Sequence, residues 1–276
     1  CSPSRNSLLT GSYPHNTGVY HNRDGNMTGD VWTFPAALQR AGYTTALIGK
    51  WGLGDARTPG TPTRQGFDEF FGPLTGAVDY VAHRDPSGGH DLYRNAEPVH
   101  VEGYLTDLIA AEAVRFIRQR REPFFLSHQG TAPHSPWQRR GDPAMGRSVG
   151  PFDVGPADRF PDMVRALDEA VGQILAALTE TGMAERTLVI FTSDNGGLQH
   201  SNMGGLARRK AHLWEGGIRV PAFARWPGVI RAGATTPQVA STLDWSATIL
   251  GAAGAAAAPA HALDGIDLLP VLSGRE

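Results

Sequence analysis

The sequence holds 276 residues, 41% of them hydrophobic and 19% charged, a balance that fits a folded chain with a sizeable core. Twenty-five basic residues face twenty-seven acidic ones, so no cationic excess points to nucleic acid or to an anionic membrane surface, while a local cationic pocket stays compatible with the total. The single cysteine excludes an internal disulfide framework and a multi-cysteine zinc site, and no apolar run reaches the roughly 18 residues of a membrane span, residues 247–258 being short and mostly Ala and Gly.

The chain opens on CSPSRNSLL, with neither an initiator Met nor a basic start followed by an apolar stretch, so residue 1 is expected not to be the natural start of the gene product. Residues 4–10 predict a short helix with Ser4 as N-cap and Gly11 as its end. Residues 33–41 predict a second helix, with Thr33 at the cap, Pro35 in the first turn and Gly42 beyond the end. TTALIG (44–49) reads as a short buried strand, and 55–103 as a loop-rich stretch punctuated by the aromatics of GFDEFFG (66–72). Apolar residues at 105, 108, 109, 113, 116 and 117 give helical spacing over 104–119, followed by a strand in PFFLSHQ (123–129). After a loop at 135–160 comes the strongest helix, 160–181, ended by Gly182. TLVIFTSD (187–194) is a continuous apolar strand of the kind that suits a parallel sheet covered on both faces. A strand with a turn at 220–228 and a helix at 241–253 complete an alternating α/β pattern without repeats or a dividing linker.

Ligands of open α/β sheets bind beyond the carboxyl ends of the strands. Lys50 follows one predicted strand, His128 and His134 follow another, and Asp194 and Asn195 follow a third. A Cys just before a helix start would have its anion stabilised by the helix dipole, and Arg5 could grip an oxyanion with two donors; the alternative is a small buried Cys beside a surface Arg. Asp194 with Asn195 suits a hard divalent cation held through oxygen, or else a plain turn. His134 suits a general acid with a pKa near working pH.

The wording of five segments goes further. CSPSRNSLLTG (1–11) resembles the C-x-P-S-R-x-x-x-L-T-G signature of the type I sulfatases, members of the alkaline-phosphatase-like superfamily. The resemblance implies that Cys1 is converted to formylglycine, whose hydrated aldehyde is the nucleophile. GYTTALIGKWGLG (42–54) is similar to the family block whose Lys and His reach the sulfate and the formylglycine. Lys50 matches that Lys, but Gly52 stands where the family has its His, which leaves the base of the second chemical step open, with His83 and His90 as alternative imidazoles. PFFLSHQGTAPHSPW (123–137) resembles the block whose His contacts the bridging oxygen of the substrate, the place of His134. TLVIFTSDNGG (187–197) resembles the metal block, with Asp194 and Asn195 as ligands, and GLARRKAHLWEGGIRVP (205–221) puts Lys210 on a sulfate oxygen, with Glu215 and Arg219 tying the loop by ion pairs and Gly216 and Gly217 serving a turn. Weaker likeness in QGFDEFFG, GYLTDL, ALDEAVGQIL and LDGIDLLPVLSG keeps the family order along nearly the whole chain.

The fold so implied is α/β, a mostly parallel sheet sandwiched by helices, with 1–276 as part of a catalytic domain that lacks the family's first strand, its Asp-Asp pair and its C-terminal subdomain. The cofactors implied are Ca2+, or Mg2+, and the formylglycine at Cys1. The metal site drawn from Asp194, Asn195 and position 1 alone is short of the 6–8 oxygens that calcium takes, so weak metal binding is expected, and loss of the first strand, which bares a strand edge, is expected to impair folding of this stretch alone. The activity implied is sulfuric ester hydrolysis, with Cys1, Arg5, Lys50, His134 and Lys210 as the catalytic set. The partners implied are an aryl or sugar sulfate and a maturation enzyme, with no nucleic acid and no membrane span, in a periplasmic or secreted setting. The alternatives are a phosphodiesterase or phosphonate-ester hydrolase of the same superfamily, an amidohydrolase using Cys1 with its own α-amino group, and an inactive sulfatase-like binding domain.

Overall fold

The computed structural model describes residues 1–22, 26–29, 31–56, 58, 60–145, 155–258 and 260–275; residues 146–154, within the predicted 135–160 loop, lie outside the described set. The chain begins with α1 (Ser2–Thr10), capped by Cys1 rather than by Ser4, with Pro3 in its first turn and Gly11 closing it at φ 63°. A one-turn α2 (Pro14–Thr17) and then α3 (Phe34–Arg40), capped by Thr33, lead into β1 (Thr44–Gly49). The GFDEFFG segment contains a strand, β2 (Glu69–Gly72), and a small hairpin follows in β3 (Tyr93–Arg94) and β4 (Glu97–Pro98). Next come α4 (Leu105–Gln119), β5 (Phe124–Gln129), the long α5 (Arg159–Glu180), β6 (Val189–Thr192), the one-turn α6 (Glu215–Ile218), β7 (Ala222–Arg225), α7 (Thr242–Ala253) and α8 (Leu269–Leu272).

Five strands form one sheet in the order β4-β3-β2-β1-β5, with β1 between β2 and β5 and parallel to both. Leu47 lies opposite Phe70 on one side and Ser127 on the other. The period-two pleat divides β1 between two cores. Ala46 and Ile48, with Phe71 of β2, pack against Ile109, Phe116 and Met163 of α4 and α5. Leu47, with Phe70, packs on the other face against Leu9, Phe34, Leu38 and Leu250 of α1, α3 and α7. Helices therefore cover both faces, as the sequence implies, but the sheet is mixed, because β3 and β4 run antiparallel.

The expectation for 187–194 is corrected. β6 pairs antiparallel with β7 in a separate two-stranded sheet, and Phe191 and Phe223 there are 39% and 64% exposed. A continuous apolar run signals burial potential and not the direction of the partner strand. Among the described residues no helix is long and apolar enough to cross a membrane.

At its carboxyl end β1 comes into backbone contact with its neighbour. Gly49 has φ 118°, and a Cβ there would lie 2.1 Å from the Gln129 carbonyl oxygen, so only glycine fits. Beyond it, Lys50 N donates to Gln129 O, Trp51 N to Pro73 O and Gly52 N to Leu74 O. The β1 exit is thus clamped between the exits of β2 and β5, and the side chain of Lys50 leaves from a rigid frame.

Candidate active site

Cys1 stands at the N-terminus of α1, half-buried, where unsatisfied helix N–H groups favour an anion. Its sulfur donates to Asn195 Oδ1 at 3.4 Å and accepts from Lys210 Nζ at 3.5 Å. Position 1 therefore touches residues 194 and 209 positions away. Ser2 fixes the helix start: its N–H donates to Asn22 Oδ1 (2.9 Å) and its hydroxyl to Gly52 O (2.8 Å).

Arg5 lies one turn further along α1 and is buried. Its Nη1 donates to Lys50 O and to Gln129 Oε1, both at 3.0 Å, while Gln129 Nε2 donates to Ser127 Oγ at 2.7 Å. Arg5 Nε faces the Asp194 carboxylate at 3.4 Å without a hydrogen bond of good geometry. Burial lowers the pKa of Arg5, and Asp194 acts in the opposite sense. Burial by itself would raise the Asp194 carboxyl, but Arg5 and Lys50 outweigh it and hold the group at about 2.

Lys50 is buried, and desolvation together with Arg5 brings its ammonium down to about 7. Lys210 is lowered as well, chiefly by burial. Its loop is fastened to the β6 exit: Lys210 N donates to Gly197 O, Gly196 N to Gly217 O and Gly216 N to Ala207 O. Glu215 and Arg219 do pair, at 3.3 Å, on the exposed side of α6. Gly216 is packed so closely that a Cβ would lie 2.1 Å from Arg208 O.

His134 follows β5. Its Nδ1 donates to Ser135 O at 2.7 Å, which fixes the tautomer and leaves Nε2 as the exchanging nitrogen. Burial, then Lys50 and Lys210, push its pKa down to about 3, so the expectation of a value near working pH is not met in the free site. Burial disfavours the charged imidazole, and two cations add to that effect.

The other imidazoles lie elsewhere. His128 sits on β5 opposite Ile48, on the face away from Gln129, with both ring nitrogens buried and its pKa lowered by burial to about 4. His83 and His90 contact the main-chain oxygens of Gly103 and Val99 through Nε2. Among the described residues neither hydrogen-bonds to Cys1, Lys50 or Lys210. Gly52 itself has φ 73°, and a Cβ there would lie 3.2 Å from Lys50 Cε.

Three cations, Arg5, Lys50 and Lys210, thus converge with His134 and Cys1 on one carboxylate, Asp194. A rim with more positive than negative groups is built to receive an anion. Sequence reasoning missed the residues that hold this set: Ser2, Asn22, Gln129 and Tyr80, whose hydroxyl donates to His134 O at 3.0 Å.

The Sulfatase family model matches residues 1–255. The chain belongs to the sulfatase family. Human N-acetylgalactosamine-6-sulfatase is 34% identical to this sulfatase chain over 303 residues, covering 99% of it and 56% of the relative. Human arylsulfatase A is 34% identical over 307 residues, covering 99% and 58%. The chain therefore spans a little over half the length of these relatives. The crystal structure of Ps i-CgsB superposes with a TM-score of 0.88 at 30% identity, covering the whole of this chain and 66% of that one. The fold alone is shared with a phosphonate monoester hydrolase from Silicibacter pomeroyi, at 21% identity and a TM-score of 0.61.

The sulfatase family implies a metal and a formylglycine. For the metal, Asp194 and Asn195 are oxygen donors of the right kind for a hard cation, but they fall short of the number such an ion takes. Among the described residues no three His, Cys, Asp or Glu side chains gather into a metal cluster. For the formylglycine, Cys1 is free and placed at the helix N-terminus between Asn195 and Lys210, which fits.

Proposed function

We propose that this protein is a sulfuric ester hydrolase acting on a sulfated sugar, with an oxidised Cys1 as the nucleophile position. The observation that carries the reading is the placement of Cys1 Sγ 3.5 Å from Lys210 Nζ, on the rim where Arg5 and Lys50 also converge. Position 1 would carry the formylglycine, whose hydrate would supply an oxygen nucleophile for sulfur, and its formation would call for a maturation enzyme. Asp194 and Asn195 would hold part of the shell of a calcium ion.

Arg5, Lys50 and Lys210 bind the sulfate oxygens and stabilise the charge that builds on them, at a rim where fixed cations act strongly. Gln129 and the Lys50 carbonyl keep the Arg5 guanidinium aimed at that charge. His134 acts on the leaving alcohol. An anionic ester offsets the part of the lowering that Lys50 and Lys210 cause and so favours a proton at Nε2, which would pass to the bridging oxygen as the S–O bond breaks.

The sugar class is supported by two relatives: one carries N-acetylgalactosamine-6-sulfatase as its name, and Ps i-CgsB was also solved in complex with k-i-k-neocarrahexaose. The test is a parallel assay of the matured protein on 6-sulfated N-acetylgalactosamine, an aryl sulfate, a phosphate diester and a phosphonate ester, with mass spectrometry of the Cys1 peptide. Hydrolysis of the sulfates and loss of sulfur from position 1 are expected. An unmodified thiol in a host that matures other sulfatases, or a preference for the phosphorus esters, overturns the reading.

A further inference from the structure

Tyr80 lies in the 55–103 stretch, where the sequence offers no readable code. In the structure it is 1% exposed and joined to its surroundings on every side. Its ring stacks on Tyr104 at 5.6 Å between centroids. Its N–H donates to Gln138 Oε1 at 2.9 Å, and its carbonyl accepts from Leu105 N at 2.8 Å, at the start of α4. Gln138 is itself fixed, because its Nε2 donates to buried Asp79 and its carbonyl accepts from Tyr104 Oη. Asp79 also accepts the N–H groups of Val81 and Ala82, closing the turn that carries Tyr80.

The Tyr80 hydroxyl goes to the main chain of the proton donor: Tyr80 Oη donates to His134 O at 3.0 Å. Tyr80, Lys50, Thr131 and His134 line one narrow cavity beside the rim. Among the described residues the imidazole of His134 is held by one hydrogen bond, Nδ1 to the adjacent Ser135 carbonyl, which moves with the loop and cannot fix the loop. Something outside 131–138 must set where that loop stands.

We infer that Tyr80 is a positioning residue for proton delivery: its phenol pins the His134 carbonyl and so sets the approach of Nε2 to the leaving-group oxygen. The inference rests on the reading of His134 given above. A misplaced donor matters in proportion to the charge left on the departing oxygen, so the signature is a dependence on leaving group and not a uniform loss. A sugar alkoxide needs the proton, whereas a nitrophenolate leaves almost as well without it.

The experiment measures kcat/KM of the matured protein for aryl sulfates of graded phenol pKa and for a sulfated sugar, in wild type, Tyr80→Phe, His134→Ala and the double variant. Tyr80→Phe is expected to lose about 10- to 100-fold on the sugar sulfate and less than about threefold on 4-nitrophenyl sulfate, with a slope against leaving-group pKa close to that of His134→Ala. The double variant is expected to lose little beyond His134→Ala alone. 4-Aminophenylalanine at position 80, which restores a donor, is expected to recover the wild-type slope. If Tyr80→Phe does not fold, 4-fluorophenylalanine fills the volume of the hydroxyl without donating and takes its place. A uniform loss across all leaving groups, or additive losses in the double variant, overturns the inference. An unchanged slope in His134→Ala overturns instead the general-acid reading on which it stands.

Discussion

The two ends of the central sheet treat charge in opposite ways. At the amino ends of β2 and β5, Arg115 spans Glu69 and Glu112, Arg94 joins Glu112, and Arg120 reaches Glu69 and Glu122. Arg94, Arg115 and Arg120 each have a carboxylate, and burial, which would raise Glu112, is outweighed by the hydrogen bonds from Arg94 and Arg115 that hold it below the usual range. At the carboxyl ends, Arg5, Lys50 and Lys210 share Asp194, and all three cations are pushed down by burial. Matched charges hold a structure together, whereas a buried surplus of one sign destabilises the free protein and awaits a counter-charge.

Breaking the unmatched end should have the largest effect. Arg5→Ala is expected to lower kcat/KM on an aryl sulfate by roughly 10²- to 10³-fold, the scale of one electrostatic donor lost from a transition state. Lys50→Met should lose activity comparably yet gain stability. The folded pKa of Lys50, about 7, lies below its unfolded value near 10.5, so the unfolded chain holds more protons between them and the wild type gains stability as pH rises through that window. The advantage of Lys50→Met is therefore greatest below pH 7, and thermal melts of both proteins at pH 6 and pH 9 measure it; a Tm of Lys50→Met below that of wild type at pH 6 would count against the comparison.

Breaking the matched end should do the reverse. Glu112→Gln is expected to cost about 1–2 kcal/mol, a partly exposed network being weaker than a fully buried one, with kcat/KM unchanged within about twofold. The difference from wild type is complete above about pH 4.3 and fades as pH falls through the lower folded value, which denaturant titrations at pH 7 and pH 3 would reveal.

Two smaller effects sharpen the contrast. Inorganic sulfate should inhibit less well as Lys50 loses its proton, its inhibition constant rising about tenfold between pH 6 and pH 8, with no such step in Lys50→Met. Gly52→Ala should lose about 1 kcal/mol, since a side chain at φ 73° is strained and its Cβ meets Lys50 Cε at 3.2 Å. A variant as stable as wild type would show that this turn relaxes freely.

Local pattern made much of this legible. TTALIG predicts the strand seen at Thr44–Gly49, and 241–253 predicts the helix seen at Thr242–Ala253 with Ser241 as its cap. Hydrophobic period and capping chemistry act within a few residues, so they survive in a bare sequence. β2 was hidden because four residues between turns carry too little period, and the direction of β6 because its apolar run says nothing of its partner. Gln129 and Tyr80 were hidden because their partners lie 124 and 54 residues away.

The chemistry of the rim was decided in the sequence: a cysteine ahead of a helix, lysines and a histidine after strands, and an Asp-Asn pair in the family's order. Tertiary structure alone decided what that chemistry can do at rest. Folding buries Lys50 near Arg5 and His134 near Lys50 and Lys210, setting values of about 7 and about 3 that no local pattern encodes, because desolvation and through-space charge depend on neighbours brought together only when the sheet closes.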